Sequence, residues 1–260
     1  MSSKPVALIT GGSQRLGAAI AEALAKAGYD IAIHFRNSAA AAEDCVRKLK
    51  VLGADAAHFQ ADLAQEAQCK ALLPAVCRHF GRIDAVINNA SLFEYDDVAS
   101  FSYASMEAHW RSNTGPAILL ARSLHEWCTR ASTSACVINL LDQKLWNPNP
   151  DFLSYTLSKA ALEAATTLLA QALAPRVRVC GLAPGVTLPS GAMSDEEFAA
   201  AHRQTILNRS STPDDISRSV LFLLQSPAMT GTTLLVDGGQ HLTPQDRDVM
   251  FTVKPQAQAE

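Results

Sequence analysis

Only 18% of the 260 residues are charged, and nowhere do lysines and arginines gather into a run. With a formal charge of -3 and no basic run, neither nucleic acid nor an anionic membrane surface is an expected partner. No apolar stretch approaches the roughly 20 residues that span a bilayer. The N-terminal MSSKPVALIT is too short before its first strand to be expected to hold a signal peptide. Cys45, Cys69, Cys77, Cys128, Cys136 and Cys180 form no C-x-x-C pair, so a reduced, cytoplasmic setting is expected and a metal site is not. Linkers, repeats and low-complexity blocks are missing too. What remains is 48% apolar residues, enough to bury one full core.

Short β-branched or apolar runs alternate with longer helical patterns. Strands are predicted at Val6–Thr10, Asp30–Phe35, Ala56–Ala61, Ala85–Asn88, Cys136–Leu140, Val177–Leu182 and Thr233–Val236. Helices are predicted at Arg15–Ala27, Ala39–Leu52, Gln65–Phe80, Met106–Thr129, Ser154–Ala174 and Pro213–Leu224. The alternation predicts an α/β fold, a single doubly wound Rossmann domain with a seven-stranded parallel sheet flanked by helices. Asp142–Phe152 is too proline-rich for a helix. Pro184–Asp195 reads as a loop, and the stretch 182–200 is a candidate lid. A single domain is expected over 1–242. The tail 243–260 is expected to be partly flexible, or to dock on a neighbouring subunit through Phe251 and Val253.

The first strand runs into Thr10-Gly11-Gly12-Ser13-Gln14-Arg15-Leu16-Gly17, which opens a helix. Glycines there permit a tight turn and close backbone approach, and the helix N-terminus offers N–H groups to a pyrophosphate. Gly11, Gln14, Arg15 and Leu16 are therefore candidate cofactor contacts. The second strand ends in His34-Phe35-Arg36-Asn37-Ser38, without the acid that would bind a ribose 2′-hydroxyl. Arg36 can pair with a 2′-phosphate and Asn37 and Ser38 can hydrogen-bond it, which favours NADPH. The plain alternative is a solvated surface arginine. After the third strand stand Asp62 and Leu63, where Asp62 can equally be a helix cap. After the fourth, Asn89 and Ala90 place small and amide-bearing residues at the same end of the sheet.

Tyr155 and Lys159 lie one helical turn apart and share a face. An ammonium beside a phenol stabilises the phenolate and is expected to lower the tyrosine from its usual value near 10. Asp142 precedes the tyrosine by thirteen residues. An ionised aspartate only accepts hydrogen bonds and would repel a developing alkoxide, but it suits a substrate with N–H donors or a ring nitrogen awaiting a proton. Burial beside a phenol disfavours its anion.

These motifs, with Asn113, Pro184-Gly185 and Val236-Asp237-Gly238-Gly239, resemble the short-chain dehydrogenase/reductase family from about Val6 to Gly239. The resemblance implies Asp62 and Leu63 at the adenine, Pro184 and Gly185 near the cofactor, and a homotetramer. It also implies Asn113 in a water-linked proton relay through Lys159, whereas its chemistry alone allows an amide that simply holds the chain. Two positions depart from the family pattern. Arg15 replaces a usual glycine and Asp142 a usual serine. With Asn89-Ala90-Ser91-Leu92-Phe93 and with His34, Phe35 and Ser38, they resemble the pteridine reductase branch. That branch implies NADPH-dependent reduction of a pterin, dihydropterin or dihydrofolate. Asp142, Tyr155 and Lys159 would be its catalytic triad, and Arg15, Ser91, Phe93, Asp142 and Tyr155 would contact the substrate. Singly, Phe93 reads as a core aromatic and Asp142 as a turn cap. Trp146 and Leu188 are further candidates for the pocket. A ketone or 3-oxoacyl reductase and a non-catalytic NADPH sensor are the competing readings.

Overall fold

A computed structural model describes residues 4–190 and 193–253. Among the described residues, seven strands form one parallel sheet in the order β3-β2-β1-β4-β5-β6-β7. They are β1 (Val6–Ile9), β2 (Asp30–Phe35), β3 (Ala56–Gln60), β4 (Ala85–Asn88), β5 (Ala135–Leu140), β6 (Val177–Pro184) and β7 (Thr233–Val236). Strands β1, β2, β4 and β5 are buried along their whole length, which explains their largely apolar runs; Asp30, His34, Asn88 and Asn139 are the buried polar exceptions.

Helices cover both faces. On one side α1 (Arg15–Lys26), α2 (Ala39–Val51) and α8 (Pro213–Gln225) bury Ile20, Leu24, Leu49 and Val220 against Ile9, Ile33 and Ile138 of the sheet. On the other, α3 (Glu66–Phe80), α5 (Gly115–Ala131) and α6 (Leu153–Leu173) bury Leu72, Val76, Leu124 and Leu173 against Leu8, Val86 and Val137. Each such side chain contributes roughly 1.5–3 kcal/mol by leaving water. Strand order reverses between β1 and β4, and the loops leaving the C-terminal ends of the strands part there into a crevice.

Three local expectations change. The helix predicted over Met106–Thr129 is two helices, α4 (Tyr103–His109) and α5, joined by a π-turn at Trp110–Thr114. Pro116 at the start of α5 lacks an N–H and crowds the preceding turn, so the chain widens instead of running straight. A helix absent from the sequence reading, α7 (Asp195–Arg203), follows the 184–190 loop. Its signal was present: Ser194 and Glu197 form a reciprocal capping box ahead of three acids. Residues 243–253 pack on their own chain and end in a short helix, α9 (Val249–Thr252). Phe251 lies 6.2 Å from Phe152, ring to ring. The remainder of the predicted tail, 254–260, lies outside the described residues, as do Gly191 and Ala192 of the candidate lid. Among the described residues, no helix is long and apolar enough to cross a membrane.

Candidate active site

A cleft of about 500 Å³ opens where the strand order reverses. Its walls include Gly11, Gln14, Arg15 and Leu16, then His34, Phe35, Arg36, Asn37 and Ser38, then Asp62, Leu63, Asn89, Ala90 and Ser91. The glycine turn is held from three sides. The Asn89 side-chain amide donates to Thr10 O at 2.9 Å and Gly11 O at 3.1 Å, and the Thr10 hydroxyl accepts from the backbone of Asn89 and Ala90. Gly11 has φ +60°, and a Cβ at Gly17 would stand 2.3 Å from Gly11 O, so no side chain fits there. Helix α1 has neither a side-chain cap nor an acid in its first turn. Its first N–H groups and its positive dipole end are thereby left to an anion, and the turn fits a nucleotide pyrophosphate.

His34 works indirectly. Its Nδ1 accepts from Gly11 N at 3.1 Å and its Nε2 lies 3.0 Å from Ala61 O, which fixes a neutral Nε2–H tautomer bridging two cofactor loops. Burial pushes its pKa down, in keeping with that state. Arg36 and Asn37 are exposed at the rim, as a 2′-phosphate contact requires. Asp62 accepts from Ala64 N and so serves as a local cap while lining the cleft. Arg15 adopts φ +51°, the left-handed conformation that makes glycine usual at this position. Its guanidinium donates to Pro189 O at 2.6 Å, bridging the glycine turn to the 184–190 loop.

The catalytic candidates converge. Tyr155 on α6 donates its hydroxyl proton to Asp142 Oδ2 at 2.8 Å, and Asp142 Oδ1 accepts from Lys144 N at 2.9 Å. Burial raises the Asp142 carboxyl above its usual range, against the pull of these hydrogen bonds. Lys159 is buried, donates to Leu140 O at 2.7 Å, and is pushed down by burial from 10.5 to about 8. The expectation that Lys159 lowers the tyrosine is overturned. Burial, followed by the neighbouring Asp142 charge, raises Tyr155 well above 10, and the ammonium lies 5.8 Å from its ring centre, held by a backbone carbonyl. A phenol so placed keeps its proton until something takes it.

Asn113 sits in the π-turn, and its side chain is fully engaged. It receives Leu92 N at 2.7 Å and donates to Leu92 O and Ser158 Oγ. It holds the Ser91–Phe93 loop to α6.

A second cavity of about 250 Å³ adjoins the cleft through Arg15 and Leu16, which line both. Phe93, Asp142, Pro184, Gly185 and Leu188 line it, whereas Ser91 faces the cofactor cleft and Trp146 is absent from both walls. Phe93 is 40% exposed, so it is not a core aromatic. One face stacks on Phe152 at 4.2 Å and its edge meets Tyr155 at 4.7 Å. The sequence reading missed most of the remaining wall: Gln143 and Lys144 beside Asp142, and Gln240, Gln245, Asp248, Val249 and Met250 from beyond β7. Gln143 Oε1 is buried there without a hydrogen-bond partner. Nothing local in residues 240–250 announces a pocket, because their partners lie about a hundred residues away.

Residues 12–241 match the family model described as Enoyl-(Acyl carrier protein) reductase. The FolM alternative dihydrofolate reductase 1 of Brucella suis, solved in complex with NADP, is 37% identical, with 94% of this chain and 97% of that one covered and a TM-score of 0.88. Pteridine reductase 1 of Leishmania tarentolae is 31% identical over 280 residues, covering 92% of this chain and 97% of its own. A 3-oxoacyl-[acyl-carrier-protein] reductase, FabG of Staphylococcus aureus, is 31% identical over 252 residues, covering 91% and 98%. With the uncapped nucleotide turn, the reversed strand order and the Asp142–Tyr155–Lys159 cluster, these likenesses agree that the chain is an oxidoreductase of the short-chain dehydrogenase/reductase family, and within it belongs to the pteridine reductase branch.

Proposed function

We propose that this chain is an NADPH-dependent pteridine reductase. It transfers hydride to the pyrazine ring of a pterin or dihydropterin, with Tyr155 as proton donor. One observation carries the reading: Asp142, a carboxyl raised by burial, receives the Tyr155 hydroxyl at 2.8 Å where a ketone reductase would present a serine. The FolM and pteridine reductase relatives support the same substrate class.

NADPH supplies the hydride when bound. The cleft residues described above would hold it, with the pyrophosphate at the start of α1 and the 2′-phosphate at Arg36, Asn37 and Ser38. Lys159, charged below about pH 8, would meet the nicotinamide ribose and orient the ring. Phe93 stacks the flat substrate from the opposite side, with Ser91 and Arg15 at its polar edge. In its protonated form, Asp142 can donate to the Tyr155 oxygen while Tyr155 passes its own proton to the ring nitrogen next to the reduced carbon. Lys159 supports this step by holding the cofactor ribose rather than by lowering the phenol, from which its ammonium is turned towards Leu140 O. Asn113 fixes the substrate loop and would serve the water-linked proton relay through Lys159 that places it in the catalytic set.

The reading extends to a homotetramer working in the cytoplasm. Tyr103, Trp110, Leu157 and Leu168 leave large apolar side chains exposed around α4 to α6, as an association face would. NADPH oxidation measured with dihydrobiopterin, dihydromonapterin and dihydrofolate alongside a panel of ketones and 3-oxoacyl thioesters tests the assignment. Turnover of pterins well above ketones is expected. The reverse order would favour the carbonyl reductase reading that the Staphylococcus relative supports. Tight NADPH binding with no turnover of any of them would leave a nucleotide-binding sensor.

A further inference from the structure

The catalytic aspartate stands on weak local ground. It caps a single 3-10 turn, Gln143–Leu145, which runs into Asn147-Pro148-Asn149-Pro150. A turn that short has little hydrogen bonding of its own to fix a side chain. Its order comes from far along the chain. Lys144, with only 4% of its side chain exposed, reaches Asp248 Oδ2 at 2.9 Å, and the Asp248 side chain is itself 14% exposed. The Asp248 backbone N–H donates to Asp151 Oδ2 at 2.7 Å, and Arg247 grips the same carboxylate with Nε and Nη2. Asn147 donates to Thr243 O at 2.7 Å. The segment 243–248 is thus bonded to the catalytic loop at both of its ends and in its middle.

We propose that Asp248 is a positioning residue for the proton donor. It pins the Lys144 side chain, which sets the Lys144 backbone N–H that holds Asp142 Oδ1, and through Asp142 it fixes the Tyr155 hydroxyl. The inference rests on Tyr155 being the proton donor, as assigned above, and not on which substrate is reduced. An ion pair this enclosed is an expensive way to fasten a loop, since both charges lose most of their water. An apolar clasp would secure the segment as firmly. A charged clasp gives the backbone of Lys144 a direction as well as a place, and the donor needs that direction. Displacements of about 1 Å in such a constellation can cost on the order of a hundredfold in rate.

Four variants test this: Asp248→Ala, Asp248→Asn, Lys144→Met, and the double variant Lys144→Met with Asp248→Leu. For each, kcat and KM are measured at saturating NADPH, the NADPH Kd is measured by nucleotide fluorescence, and folding is followed by thermal melting. The expected result is a fall in kcat of about a hundredfold for Asp248→Ala and for the double variant, with the NADPH Kd unchanged and KM moved far less than kcat. Asp248→Asn keeps an oxygen for the ammonium and is expected to recover much of the loss. The double variant removes both charges, so it folds without a stranded buried ion and separates lost positioning from lost stability. A folded double variant with the wild-type kcat overturns the proposal. If the wild type reduces ketones and no pterin, the substrate assignment fails, and the same kcat–KM split is then read on the ketone.

Discussion

The cofactor cleft and the substrate cavity meet at Arg15 and Leu16 but are built on opposite principles. The cleft is made of short loops that leave neighbouring strands, and its groups are mostly backbone amides and exposed polar side chains. It recognises a ligand by shape and by uncapped N–H groups. The cavity gathers residues from five distant stretches, among them Asp142 and the Lys144–Asp248 pair, with Tyr155 bonded to Asp142 and Lys159 buried one helical turn away. Its ionisable groups are bonded to one another, and Lys144 is held by Asp248 from 104 residues further along the chain. Nucleotide binding is thus a property of the sheet, while the chemistry depends on long-range assembly.

If the two regions are that separate, damage to one should leave the other intact. The largest expected effect is in the cavity. Tyr155→Phe should lower kcat for pterin reduction by about a thousandfold, the scale of a lost general acid, with NADPH affinity by fluorescence titration unchanged. A matching loss of NADPH affinity would erase the division. Next comes the cleft. Arg36→Ala removes a charge-assisted contact and should raise the NADPH KM about tenfold while leaving kcat at saturation and the KM for NADH as they were. An equal effect on NADH would mean that Arg36 does not read the 2′-phosphate.

The smallest effect joins the two regions. Lys159 is depressed to about 8, so it is an ammonium below that pH and neutral above it. NADPH affinity should fall several-fold as pH rises through 8, and Lys159→Met should flatten that dependence in a calorimetric titration. The linkage to stability runs the other way. The unfolded lysine binds its proton up to about 10.5, so folding carries the penalty of a buried ammonium below pH 8 and sheds it between 8 and 10.5. Lys159→Met should therefore stabilise the ligand-free protein most below pH 8, and melting curves across that range should show the advantage shrinking.

The same division sets what could be read from the chain as a string. Every strand core was legible because short, mostly apolar runs alternate with helical patterns, although only β1, β2, β4 and β5 are buried throughout. The cleft was legible because its chemistry is contiguous: Thr10 to Gly17 is one turn, and His34 to Ser38 is one strand end. Tyr155 and Lys159 were found because they stand one helical turn apart, and Asp142 because it departs from the serine usual in the family. The straight helix across Met106–Thr129 was misread because apolar spacing continues through a break that Pro116 imposes on the hydrogen bonds. The direction of the Tyr155 shift could not come from spacing, since it depends on burial and on where the ammonium points. Lys144, Asp248 and Met250 carried no signal, because a buried ion pair between residues 104 positions apart leaves no local pattern.

The order of residues along the chain also has a consequence for synthesis. The glycine turn, the Arg36 rim and the Asn89 loop are made in the first half of translation, while Gln245, Asp248 and Met250 are made near the end. A growing chain folds its earlier parts first. A half-made molecule can therefore shape much of its nucleotide site while the wall that completes the reaction chamber does not yet exist. A message cut shortly before codon 248 should encode a protein that keeps its nucleotide turn but lacks the Lys144–Asp248 clasp on the catalytic loop.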